Sequence, residues 1–188
     1  MPAYTGFLRA INLGARRKFA MAELRACLTE AGLGDVETHI QTGNVRFTTR
    51  MRSRARVEGL LEGLFLADRG FEVPTIVLTP AELAEVGRDA EALQASRASP
   101  GKHYVTLLKH EPTAEARAAL EALSHPGEQA VGRGRAVHLL LGEGYRTSTL
   151  DNARVERLLG VGTNRNYNVI TTLAARWGSP AGGGAGSA

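Results

Sequence analysis

Cysteine is almost missing: Cys27 is the only one in 188 residues, so no internal disulfide can brace the fold and a reducing compartment is expected. It stands among Leu24, Leu28 and Ala31 at helical spacing, with no base or positive field nearby. It therefore reads as a buried structural thiol rather than a nucleophile. No apolar run approaches the ~20 residues of a membrane span, and the N-terminus shows no charged region followed by an apolar stretch and a cleavage site. A cytoplasmic protein with no membrane partner is expected. Also lacking are a glycine-rich phosphate loop, Gly-x-Gly-x-x-Gly after a strand, Gly-x-Ser-x-Gly and His-Glu-x-x-His. The five histidines, at 39, 103, 110, 125 and 138, have no ligand spacing, so neither a metal nor a cofactor is expected.

What is present is ordinary for a globular chain: 43% hydrophobic and 22% charged residues supply a sizeable core and exclude global disorder. The length fits two compact halves better than one large domain. The formal charge of +4 is unevenly spread, since residues 1–56 hold ten Lys/Arg against four Asp/Glu. Such asymmetry can mark a surface that meets phosphate or nucleic acid, or simply a solvated basic face.

Hydrophobic periodicity gives the order of elements. Residues 4–13 read as a strand apolar on both faces. A helix follows from Met21 to Ala31, then a hairpin whose Val36, Thr38, Ile40, Val45 and Phe47 share a face, turning at Gln41-Thr42-Gly43-Asn44. Ser53 caps a helix carrying Val57, Leu60, Leu61, Leu64 and Phe65, and Pro74 puts the strand from Phe71 to Leu78 at a sheet edge. This β-α-β-β-α-β order is that of a ferredoxin-like half, residues 1–79, in an α+β protein. RNA-recognition modules share the order, but only one aromatic, Phe47, lies on the central strand here, and on its core side, which disfavours RNA stacking.

Thr79-Pro80-Ala81-Glu82 is a capping box opening a helix to about Leu93, and residues 80–101 form this helix and a linker. Residues 102–177 read as a smaller α+β half, β-α-β-β-α, without a clear last strand; Val169, Leu173 and Trp177 there keep helical spacing. The Gly- and Ala-rich residues 178–188 read as a disordered tail.

Amide and arginine side chains recur along the chain. Arg9 and Asn12 lie within the first strand, Arg9 on the face of Phe7 and Ile11, Gln41 and Asn44 flank the hairpin tip, and Arg165 and Asn166 precede the last helix. These six can converge from both halves on an anionic small ligand such as a nucleotide, with guanidinium forks supplying charge and amides supplying direction. Arg16, Arg17 and Lys18 add a basic loop suited to phosphate. The same residue types also serve as helix caps and as a latch between halves. A group-transfer enzyme using the same cleft is the alternative, with catalytic residues unassigned, and nucleic-acid binding by the basic first half is another. The oligomeric state is not legible.

The runs Leu8-Arg9-Ala10-Ile11-Asn12-Leu13-Gly14, Met21-Ala22-Glu23-Leu24-Arg25, Ile40-Gln41-Thr42-Gly43-Asn44-Val45, Leu158-Leu159-Gly160-Val161 and Thr163-Asn164-Arg165-Asn166-Tyr167-Asn168 resemble a bacterial family catalogued as domain of unknown function 1697. Its members typically show Arg-Gly-Ile-Asn-Val-Gly, Gln-Ser-Gly-Asn and a late Arg-Asn-Trp-Asn. The resemblance spans about residues 4–175 and implies an α+β fold and a cytoplasmic protein; it brings no activity, cofactor or catalytic residue. Ala10 stands for the usual Gly, Thr42 for Ser and Tyr167 for Trp. Thr149 replaces the Lys that often follows Ser, which removes a cation there.

Overall fold

In the computed structural model, which describes residues 1–12, 17–97, 101–142 and 148–179, the chain divides into two compact units. One comprises residues from Met1 to Ala84 together with the chain from Ala174 onward, the other Glu85–Leu173.

The first unit is built on β1 (Ala3–Leu8), α1 (Met21–Glu30), β2 (Gly34–His39), β3 (Asn44–Thr48), α2 (Arg54–Arg69) and β4 (Thr75–Leu78). Its sheet is antiparallel in the order β2-β3-β1-β4, so the Pro74 segment does lead into an edge strand. Tyr4 faces Phe47 and Gly6 faces Val45 across β1 and β3, which puts these side chains and Leu8 on one face. That face packs against Leu24 and Leu28 of α1 and Val57, Leu61 and Phe65 of α2, all fully buried, to make the core. Full burial of each such side chain contributes on the order of 1.5–3 kcal/mol. The opposite face carries Phe7 and Ile76, also fully buried, and the polar set Glu37, His39, Asn44 and Arg46. Ser53 caps α2 as expected, and Gly70 ends it in the left-handed conformation.

The second unit begins within α3 (Pro80–Ala95), whose start is closed by the expected capping box: Glu82 Oε2 accepts from Thr79 N–H at 2.8 Å and Thr79 Oγ1 accepts from Glu82 N–H at 3.2 Å. It contains β5 (Lys102–Leu108), α4 (Ala114–Glu121), β6 (Gln129–Arg133), β7 (Ala136–Leu141), α5 (Asn152–Leu159) and β8 (Gly162–Asn166), followed by α6 (Tyr167–Trp177). The sequence reading found no closing strand here, and β8 corrects it. Thr163, Asn164, Arg165 and Asn166 show no apolar alternation, yet they pair antiparallel with β5 from Tyr104↔Asn166 to Leu108↔Gly162. An edge strand takes its backbone partners from one side only, and its polar side chains hid it.

The sheet order of this unit, β6-β7-β5-β8, repeats that of the first, and so do particular bonds. Leu8 and Arg9 donate backbone N–H groups to Gly43 O and Pro74 O; Leu108 and Lys109 donate theirs to Arg135 O and Val161 O. Tyr4 and Tyr104 occupy matching positions four residues earlier. On the edge strands, Glu62 Oε1 accepts from Thr75 N–H at 2.8 Å and Glu156 Oε1 accepts from Gly162 N–H at 3.0 Å. Glu58 Oε1 does the same for Val77 N–H at 2.9 Å. Carboxylates from the neighbouring helix thus occupy N–H groups that an open edge would otherwise offer to another chain. No described helix is long and apolar enough to cross a membrane.

The end of α6 belongs to the first unit. Trp177 is buried there, its Nε1–H donates to Glu37 Oε2 at 3.1 Å, and its ring meets His39 edge-on at 6.4 Å.

Candidate functional site

The hairpin tip of the first unit is tightly tied. The Asn12 Nδ2 group donates to Gln41 O at 2.8 Å and to Phe19 O at 3.0 Å, while its Oδ1 accepts from Phe19 N–H at 2.9 Å. Asn44, fully buried, donates from Nδ2 to His39 O and to Thr42 Oγ1, both at 3.0 Å. Ala10, Asn12 and Ile40 have φ of 56°, 55° and 50°, and Gly43 of 77°. Left-handed backbone disfavours any residue with a Cβ, and a β-branched one most. The preference for glycine at the position of Ala10 follows from that dihedral. Asn12 and Asn44 therefore hold the loop's shape, and Gln41 projects from it exposed. Arg9 is half-buried just after β1.

Of the basic loop, Arg16 lies outside the described residues, and Lys18 is exposed. Arg17 donates from Nη2 to Glu72 O and lies 5.0 Å over the Phe71 ring. Other first-unit cations are engaged as well: Arg25 with Thr38, Arg46 with Glu37, Arg54 with Glu82, and Arg69 with Glu23 and Asp68. Burial, reinforced by Asp68, raises the Cys27 thiol above its ordinary value, which opposes thiolate chemistry.

Arg165 and Asn166 belong to the second unit. Arg165 is buried on β8, where Nη1 donates to Asn164 O at 2.7 Å and to Thr163 Oγ1 at 2.9 Å; burial lowers its pKa to about 10, which leaves it charged at neutral pH. Asn166 caps α6, its Oδ1 accepting from Val169 N–H at 2.9 Å.

Asn166 also lines an open pocket of about 360 Å³ with Gln94, Gly101, Lys102, His103, Tyr104, Tyr167 and Asn168. None of the described lining residues is acidic. Tyr167 and Asn168 open α6, where backbone N–H groups have no intrahelical acceptor and the helix dipole is positive. The His103 ring stacks on Tyr167, centroids 5.4 Å apart and planes 28° apart. Behind it runs a polar chain: His103 Nδ1 meets Gln94 Oε1 at 3.2 Å and His103 Nε2 meets His138 Nδ1 at 3.1 Å. His138 is fully buried and its Nε2 has no hydrogen-bond partner among the described residues. Burial is the first cause lowering both imidazoles to about 4, with His138 and Arg97 also acting on His103 and Arg133 on His138, so both rings are neutral at pH 7. Among the described residues no group of three or more His, Cys, Asp or Glu could hold a metal ion.

The structure thus places Arg9, Asn12, Gln41 and Asn44 in one unit and Arg165 and Asn166 in the other, and it joins Asn166 to residues that sequence reasoning passed over. His103 and His138 are 35 positions apart and meet only because β5 and β7 pair. The available sequence signal was Asn166-Tyr167-Asn168 before a helix, which does mark one wall.

A search of curated proteins finds no match. Among solved structures, a conserved bacterial protein from Streptococcus pneumoniae is similar at 23% identity and a TM-score of 0.66, covering 92% of this chain and 98% of its own. That likeness is one of fold. The model of the family described as protein of unknown function DUF1697 matches residues 1–138, so the chain belongs to that family.

Proposed function

We propose that this protein binds a small anionic ligand, a nucleotide or phosphorylated metabolite, in the pocket of the second unit. The observation that carries the reading is the lining itself: three amide-bearing residues, the cationic Lys102 and the start of α6, with no carboxylate among the described residues there. Helix N-termini favour anions through oriented N–H groups. A volume of about 360 Å³ lies at the small end of ligand pockets and suits a phosphoryl group carried on one ring. The phenol ring of Tyr167, already stacked on His103, offers a flat surface for such a ring. A chain with a single, partly buried thiol fits the reducing cytoplasm in which such metabolites occur.

A thermal-shift series with inorganic phosphate and nucleoside monophosphates tests this. Stabilisation that rises with ligand concentration in the parent and disappears in Lys102→Glu supports it. An unchanged response in Lys102→Glu, or none in the parent at high ligand concentration, contradicts it.

A further inference from the structure

We propose that anion binding in this pocket is coupled to uptake of one proton by the Gln94–His103–His138 chain, so that the ligand is held more tightly in mildly acid solution. The inference rests on the anion reading above and adds the site's regulation.

The geometry sets the proton count. With Gln94 Oε1 accepting from His103 Nδ1–H, His103 Nε2 accepts from His138 Nδ1–H, and the buried His138 Nε2 keeps a lone pair with no partner among the described residues. The chain is neutral and has one vacant basic nitrogen. A proton from solvent leaves His103 with both N–H groups and moves His138 to its Nε2–H tautomer, so the positive charge rests on the ring that lines the pocket.

Several cations oppose that charge when no anion is bound. Arg97, from the end of α3, and His138 disfavour it on His103, and Arg133 of β6 disfavours it on His138. Lys102 adjoins His103 on β5, and Arg165 of β8 shares a sheet face with His138, both standing opposite Val105. From α6 the titratable neighbour is Tyr167, stacked on His103. Among the described residues no carboxylate shifts either ring. A bound anion supplies the missing negative charge, and an opposite charge within about 4–6 Å favours the charged form of a titrating group by roughly 1–3 pH units.

The test uses sulfate, which does not titrate between about pH 7.5 and about pH 5. Nitrogen-15 NMR of the full chain follows the imidazole signals of His103 and His138 and the amide signals of Asn166 and Asn168, with and without sulfate. Sulfate is expected to raise the midpoint of His103 protonation by about two units, from about 4 to about 6. Its Kd is expected to fall about tenfold from about pH 7.5 to about pH 5, and to stay flat in His103→Gln. Sulfate that shifts Asn166 and Asn168 with a Kd independent of pH and an unmoved His103 midpoint overturns the proton coupling and leaves the anion site standing. No sulfate-dependent shift at Asn166 or Asn168 overturns both.

Discussion

Replacing Gly43 by alanine separates two demands that the hairpin tip places on one residue. The first is conformational: φ is 77°, where a Cβ costs roughly 1–2 kcal/mol. The second is steric, because a Cβ built on Gly43 falls 2.7 Å from Ile11 Cδ1 and 2.8 Å from Leu8 Cβ, inside any real contact distance. Overpacking of this kind costs roughly 1–3 kcal/mol. The sum, roughly 2–5 kcal/mol, is a large part of the roughly 5–15 kcal/mol that holds a domain folded. Gly70 in the same unit is the control: its φ is 71°, but a Cβ there meets nothing within 4 Å. Gly70→Ala should cost only the conformational part, roughly 1–2 kcal/mol. Urea unfolding followed by the fluorescence of Trp177, which is buried in this unit, gives both values. Equal losses in the two variants would refute the argument that Leu8 and Ile11 close over the tip.

Ala10→Gly relieves a φ of 56° and should raise stability by up to about 1 kcal/mol in the same unfolding assay; a loss would show that the strain is not there. Glu62→Ala removes the acceptor of Thr75 N–H, so amide exchange at Thr75 should quicken with a stability loss of roughly 1.5–3 kcal/mol, whereas unchanged exchange would contradict edge protection. The histidine pair makes the second unit sensitive to acid. Both folded-state pKa values, about 4, lie below the usual 6.5, so the unfolded chain binds more protons between those limits. Stability is fully present above pH 6.5 and is lost as pH falls toward about 4, by up to roughly 3 kcal/mol for each ring. His138→Leu should flatten that slope in pH-dependent urea unfolding, and an unaltered slope would be the contrary result.

How much of this was legible in the sequence depended on whether a segment's role shows in its own periodicity. The first strand, the amphipathic helix of Val57, Leu61 and Phe65, and the capping box of Thr79 and Glu82 each carry their signal locally, and the structure has all three, although the strand expected over residues 4–13 ends at Leu8, where the left-handed backbone of Ala10 and Asn12 breaks it. The strand β8 carries none, because Thr163 to Asn166 are polar and its place is set by pairing with β5. Asn12 and Asn44 were legible as hydrogen-bonding residues. Their use was not: three short bonds tie Asn12 to the backbone of Phe19 and Gln41, and two tie Asn44 within its own hairpin. The duplicated topology was visible as element order but not as residues, since the matched bonds run mostly through the backbone, as at Leu8 and Leu108. The His103–His138 pair is a product of strand register alone.

The central claim is that the pocket beside Asn166 and Lys102 takes an anion, and a crystal structure of the chain soaked with a nucleoside monophosphate tests it most directly. The account predicts phosphate density within hydrogen-bond reach of the Lys102 ammonium and the first backbone N–H groups of α6. Density for the nucleotide elsewhere on the chain, with this pocket holding only water, would contradict it.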